Sequence, residues 1–149
     1  MRPINTVVDV MNYVMLEVGQ PLHAFDADLV EGFLEVRYAQ QGEEIKTIDG
    51  QNFNLTANDL VIADVKGPLA IAGIKGGKRA EITPKTRRII IESANFDPVS
   101  IYKTTRQLNL VTDASSRFSH GLSPWLAEVA IKRAAVLLKD VAKASLGET

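Results

Sequence analysis

The stretch Leu60-Val61-Ile62-Ala63-Asp64-Val65-Lys66-Gly67-Pro68-Leu69-Ala70-Ile71-Ala72-Gly73 holds two short apolar runs punctuated by Asp, Gly and Pro. Runs of this kind read as strands buried on both faces. A third, Arg88-Ile89-Ile90-Ile91-Glu92, reads the same way. Upstream, Phe33-Leu34-Glu35-Val36-Arg37-Tyr38 alternates as a half-buried strand does. Lys46 to Phe53 carries Asp49-Gly50 between two strand-like runs, a strong hairpin signal. Further out the period changes. Val7, Val8, Met11, Val14, Met15 and Val18 recur at helical spacing, predicting a helix from about Ile4 to Val18, capped by Asn5 and stopped by Gly19 and Pro21. Asp97-Pro98 opens a second helix running to about Asn109, and Ser123-Pro124 repeats the device. The stripe Leu126, Ala130, Ala134, Leu137, Leu138, Val141 predicts a long amphipathic helix packed on the sheet. Helix, many strands, then helices is an α+β order rather than a doubly wound one.

Composition narrows the function. The 149 residues are 46% hydrophobic and 23% charged, as in a folded domain, and no repeat, low-complexity tract or linker divides them. One domain, 1–149, is the simplest organisation. With 17 basic against 18 acidic residues, the whole surface is not a nucleic-acid-binding field, although local basic patches remain open. The absence of cysteine removes disulfides, zinc–thiolate sites and thiol nucleophiles. The two histidines, His23 and His120, are too far apart in sequence for a paired-histidine metal motif, so no metal site is expected. No apolar run is long enough to span a membrane and the N-terminus lacks a signal-peptide core, so a cytoplasmic setting is expected.

Individual motifs leave alternatives open. Gly73-Ile74-Lys75-Gly76-Gly77-Lys78 fails as a phosphate loop, because Ala72 stands where glycine is needed and Arg79 where a magnesium-binding hydroxyl belongs. It reads as a tight turn after a strand, or as glycines that let a ligand approach the backbone. No Gly-x-Ser-x-Gly elbow exists. Glu92, closing the isoleucine run, is either a solvent-facing strand end or a partly buried carboxylate that orients a ligand. His23 lies in an extended loop, and Thr112 to Arg117 reads as a polar turn. Basic residues cluster at Lys75, Lys78 and Arg79, and again at Lys85, Arg87 and Arg88, as a solvated face or as contacts for a phosphate backbone.

Four longer strings carry more. Arg2-Pro3-Ile4-Asn5, Val8-Asp9-Val10-Met11-Asn12-Tyr13-Val14-Met15, Gly19-Gln20-Pro21-Leu22-His23-Ala24-Phe25-Asp26 and Thr112-Asp113-Ala114-Ser115-Ser116-Arg117-Phe118 occur in this order, with the 47–50 hairpin and the 72–77 turn between them. Together they resemble the B3/B4 domain of the bacterial phenylalanyl-tRNA synthetase β subunit, over nearly the whole chain.

The resemblance implies an α+β fold with a mixed, barrel-like sheet flanked by helices. It implies an editing activity: hydrolysis of tyrosine mischarged onto tRNA(Phe). The implied pocket falls on Arg2, His23, Gly73, Gly76, Glu92, Thr112 and Ala114. Glu92 and the Gly73 backbone would meet the phenol. His23, Thr112 and Arg2 would sit around the ester and the terminal adenosine, with His23 and Thr112 as the catalytic pair. Gly76 and Ala114 would leave room for the ligand. The implied partners are the 3′ end of tRNA(Phe), the rest of the β subunit and the α subunit. No cofactor is implied for this domain; ATP and magnesium belong to the parent enzyme's α subunit.

These residue types suit that chemistry. A hydrophobic synthetic site rejects an added hydroxyl only about 10²-fold, so a second site that requires the hydroxyl is useful. A carboxylate acceptor left unpaired by phenylalanine supplies that requirement. An aminoacyl ester is already activated, so positioned water suffices and no covalent nucleophile is needed. His23 would orient that water, with the tRNA's ribose hydroxyl as a helper. Two departures from the family pattern stand out. Ser119-His120-Gly121 replaces the usual acidic residue, Arg and Gly after Arg117-Phe118. Met1 directly precedes Arg2, which makes the chain look excised from a subunit several times longer. The competing reading is a non-catalytic structural or tRNA-guiding module of the synthetase.

Overall fold

The computed structural model describes residues 4–145 and 147. The first helix, α1 (Thr6–Val18), forms as its spacing requires. The Asn5 side chain accepts the Val8 N–H at 2.9 Å, and Gly19 closes the helix in the left-handed conformation, φ +86°. The strands follow: β1 (His23–Asp26), β2 (Glu35–Tyr38), β3 (Glu44–Lys46), β4 (Asn52–Asn54), β5 (Leu60–Asp64), β6 (Gly67–Ile71), β7 (Lys75–Gly76) and β8 (Ile89–Glu92). Then come α2 (Pro98–Gln107), α3 (Asp113–Ser119) and α4 (Trp125–Ala142).

The α+β class holds, but the expected mixed, barrel-like sheet does not. The strands form three small sheets, β1–β8, β2–β5–β6–β7 and β3–β4, and every pair among the described residues is antiparallel. Barrel closure needs edge strands that pair with each other. Here β2 and the two-residue β7 end the larger sheet without meeting.

The two apolar runs at 60–64 and 69–72 are buried as expected, with Val61, Ala63 and Leu69 at 0% exposure. The third run departs from expectation. In β8 the face alternates: Ile89 and Ile91 pack toward α1 and α4, whereas Ile90 is half-exposed and Glu92 lies on the opposite face. Three identical isoleucines conceal that alternation in the sequence. β1 behaves likewise, sending Ala24 into the helical core and Phe25 into the core of the larger sheet. The β1–β8 ribbon is therefore a partition between two apolar clusters.

One cluster joins β5, β6, α2 and α3 around Ile71, Ile101 and Phe118. The other joins α1 and α4 through Val10, Met11, Val14, Ala130, Ala134 and Leu138. The end of the predicted α4 stripe differs: Val141 is 58% exposed. Ser123 is also no side-chain cap; its backbone carbonyl, rather than its hydroxyl, takes the Leu126 N–H at 3.0 Å. Asp97 does cap α2, accepting the Ser100 N–H at 2.7 Å, but the helix stops at Gln107 rather than Asn109. Asp59, fully buried, fastens α2 to β5 by accepting from Thr104 Oγ1 at 2.7 Å and Gln107 Nε2 at 3.0 Å.

Candidate functional site

The register of β1 against β8 places His23 opposite Glu92. Directly opposed residues of an antiparallel pair leave the same face with Cβ atoms about 5 Å apart. Both side chains line one cavity of about 70 Å³, several times the space one water needs. The other walls come from the segment after Gln20 (Pro21, Leu22), from β6 and the glycine turn (Ala70, Ile71, Gly73 to Gly76), and from α3 (Ala114, Phe118). Five of the seven sequence-predicted residues, His23, Gly73, Gly76, Glu92 and Ala114, thus come together although they are scattered from residue 23 to 114.

The two glycines are required for different reasons. Gly73 has φ +66°, and a Cβ there would lie 2.9 Å from Phe96 and 3.0 Å from Phe118. At Gly76 the obstacle is the imidazole itself: a Cβ would lie 2.5 Å from His23 Cε1 and 2.8 Å from Nε2. The His23 ring also meets Phe25 edge-on, with centroids 4.6 Å apart. It is wedged between backbone and phenyl.

Burial shifts both ionisable groups away from charge. It lowers the His23 imidazole to about 4, so the ring is neutral at physiological pH. It raises the Glu92 carboxyl to about 7, so this group is poised between its two protonation states at neutrality. Glu92 accepts no hydrogen bond from any described residue, which leaves its oxygens available to a ligand. The sequence left solvent-facing and partly buried readings of Glu92 open; the cavity wall favours the second.

Thr112 is placed differently. It caps α3 in a reciprocal capping box with Ser115 (3.0 and 2.9 Å) and donates its hydroxyl to the Ile74 carbonyl at 2.9 Å. The segment read as a polar turn is therefore a helix N-terminus, and Thr112 ties it to the glycine turn without lining the cavity. Arg2 lies outside the described residues.

Sequence reasoning missed Lys75 and Phe118 as lining residues. The signal for Lys75 was available: a cation lying between two site glycines in one turn. The other basic residues noted there are engaged elsewhere. Arg79 forms a two-pronged ion pair with the buried Asp64 (2.8 and 2.6 Å), and Lys78 pairs with Glu81. Among the described residues no cluster of His, Asp and Glu is arranged to hold a metal ion, and no helix is long and apolar enough to cross a membrane.

The sequence that builds this fold of small antiparallel sheets walled by helices matches a known domain class. The B3/4 domain family matches residues 1–143, and the chain belongs to that family. Its relatives are phenylalanine–tRNA ligase beta subunits. That of Protochlamydia amoebophila is 51% identical over 143 residues, covering 95% of this chain and 18% of that protein. That of Cutibacterium acnes is 49% identical over 148 residues, covering 99% of this chain and 18% of that protein. The chain thus spans about a fifth of the length of these relatives. Among solved structures, an N-terminal fragment of the phenylalanyl-tRNA synthetase beta-subunit from Pyrococcus horikoshii aligns with a TM-score of 0.50, over 57% of this chain and 32% of that one. At 13% identity that likeness speaks to the fold alone.

Proposed function

We propose that the chain is a single tRNA-editing domain, 1–149, that hydrolyses the ester of tyrosine mischarged onto tRNA(Phe). The observation that carries this reading is the cavity shared by a neutral imidazole and a carboxyl without a partner among the described residues, on register-paired strands. A tyrosine phenol entering it would donate to the Glu92 carboxylate. Phenylalanine would leave that acceptor unpaired, at a cost of about 1–3 kcal/mol. Gly76 and Ala114 leave room for the ligand, and the Gly73 backbone meets the phenol beside Glu92.

Hydrolysis then adds a water oxygen to the ester carbonyl carbon. The bond to the terminal ribose oxygen breaks, and that oxygen takes the proton as tyrosine and tRNA part. His23, neutral and with a pKa near 4, is a weak proton acceptor, so its role is to orient the water. Thr112 acts from behind the wall, fixing the Ile74 carbonyl and with it the turn from Gly73 to Gly76. The step uses water and the chain's own groups, with no cofactor of the domain's own. ATP and magnesium serve the aminoacylation site of a parent ligase. The partners proposed are the 3′ end of tRNA(Phe), the remainder of a β subunit and an α subunit, in the cytoplasm.

At about 70 Å³ the cavity is smaller than the roughly 150 Å³ that holds benzene in an engineered protein core. Ring entry therefore displaces water and spreads the walls. The deciding experiment follows deacylation of tyrosine- and phenylalanine-charged tRNA(Phe) by the 149-residue chain and by a full-length ligase carrying it. Tyrosine release that disappears with Glu92→Ala supports the reading. Undiminished release in that variant, or equal release of phenylalanine, refutes it and leaves a structural or tRNA-guiding module.

A further inference from the structure

Among the described residues, Lys75 is the only cationic side chain lining the cavity. It occupies β7, directly before Gly76, and its ammonium donates to Asp49 Oδ2 at 2.8 Å. Asp49 sits at the tip of the β3–β4 hairpin and is itself held, since the buried Thr47 donates its hydroxyl to Asp49 Oδ1 at 2.5 Å. The hairpin tip is locked to the glycine turn by Ile48 N–H donating to the Gly76 carbonyl at 3.0 Å. Thr47, Asp49 and Lys75 thus form a relay that fixes one ammonium where the cavity meets solvent.

We propose that Lys75 is a substrate-positioning residue that binds the phosphodiester preceding the aminoacylated nucleotide. The proposal rests on the editing reading and deepens it by assigning a contact to the nucleic-acid half of the substrate. Three observations support the assignment. The lysine side chain retains 21% exposure and that of Asp49 35%, so an incoming anion can reach the pair. An ammonium carries three donors and Asp49 uses one, so a phosphate oxygen can join without displacing it. The neighbouring Lys78 and Arg79 do not line the cavity, and they pair away from it with Glu81 and Asp64. Lys75 also holds the Asp49 carboxyl down at about 2, so the aspartate remains an anion throughout the working pH range.

The same geometry gives Asp49 two opposing effects on a phosphate. It positions the ammonium, and its charge repels the phosphate. An asparagine at 49 would keep an oxygen in place for Lys75 and lose the repulsion. Lys75→Met and Asp49→Asn should therefore move KM in opposite directions. A purely structural ion pair would make them alike, since each removes one half of it.

The test is steady-state deacylation of tyrosine-charged tRNA(Phe) by the full-length ligase carrying this domain, over a series of salt concentrations. Lys75→Met is expected to raise KM severalfold, with the loss on KM rather than kcat, and to reduce the slope of log KM against log salt by about 0.7 for one lost single-strand phosphate contact. Lys75→Arg is expected to restore both. Asp49→Asn is expected to lower KM. Binding of tyrosinamide, which carries neither phosphate nor carboxylate, is expected to be the same in all forms, and this also verifies that each variant folds. KM raised alike by Lys75→Met and Asp49→Asn, or an unchanged salt slope in Lys75→Met, would overturn the proposal while leaving the editing reading intact. A wild-type protein that neither binds tyrosinamide nor releases tyrosine would overturn the editing reading and this proposal with it.

Discussion

His23 and Glu92 are register partners across the β1–β8 ribbon, separated by 69 positions in sequence yet directed into one cavity from the same face. Neither bears a full charge at neutral pH. The pair is an uncharged imidazole beside a carboxyl poised between its two protonation states rather than an ion pair, suited to a neutral phenol and a water molecule.

On the proposed editing reading, selectivity follows first from Glu92. Tyrosinamide is expected to bind about tenfold or more tightly than phenylalaninamide, because the missing hydroxyl strands a buried acceptor. In Glu92→Ala the preference should vanish. Titration calorimetry on both ligands measures it, and equal wild-type affinities would contradict the assignment.

The pH dependence of stability carries two opposed contributions. Glu92 titrates near 4.5 when unfolded and about 7 when folded, so its contribution is fully present below 4.5 and lost as pH rises through 7. His23 moves from 6.5 to about 4, so its contribution is present above 6.5 and lost as pH falls through 4. Across the shared window from 4.5 to 6.5 the two largely cancel, and these groups impose little slope on the wild-type curve. Glu92→Gln should unmask the histidine contribution, with stability climbing from pH 4 to 6.5 relative to wild type. His23→Gln should do the reverse, with stability falling between 4.5 and 7. Urea denaturation across pH reads all three curves, and parallel curves would contradict the placement of both groups.

Gly76→Ala pushes a methyl group into the His23 ring, with no room for it at 2.5 Å. A destabilisation of about 1–3 kcal/mol is expected, as for other overpacked sites. Tyrosinamide binding should be lost with it, because the imidazole can yield only toward the cavity or Phe25. Denaturant melts and ligand titration check the two effects separately.

Thr112→Ala removes the α3 cap and the hold on the Ile74 carbonyl together. The expected loss is about 1 kcal/mol for the cap, with a fall in deacylation as the glycine turn loosens. Thr112→Ser preserves both hydrogen bonds and should stay close to wild type in melting temperature and rate. If serine proves as damaging as alanine, the hydroxyl's role lies elsewhere.

Local signals were faithful wherever the stabilising partner lay close in sequence. Asn5 and Gly19 delimited α1, Asp49-Gly50 marked the β3–β4 turn, and the apolar runs at 60–64 and 69–72 became the buried strands β5 and β6. The failures share a cause. β1 read as an extended loop because its partner, β8, comes more than 60 residues later, and no window spans that distance. The polar string at 112–117 concealed a helix because its capping box consists of the residue types that also form turns. The seven expected site positions came as a set from the family resemblance, although the isoleucine run had already singled out Glu92, and neither source placed Lys75 at the cavity. That required seeing which face β7 presents.

The ribbon that separates the two apolar clusters has a mechanical consequence. His23 and Glu92 ride on β1–β8, whereas Gly73 and Gly76 belong to β6–β7 and the turn between them, and no ladder joins these sheets. Ladder bonds fix strand spacing near 4.8 Å, but packed side chains can slide. The gap between the walls is thus held by side-chain packing rather than by a ladder. Occupancy should stiffen it, slowing amide exchange at the facing edges of both sheets while leaving α1 and α4 unchanged. On the editing reading, discrimination then depends on how firmly a guest wedges the seam as well as on which hydrogen bond it makes.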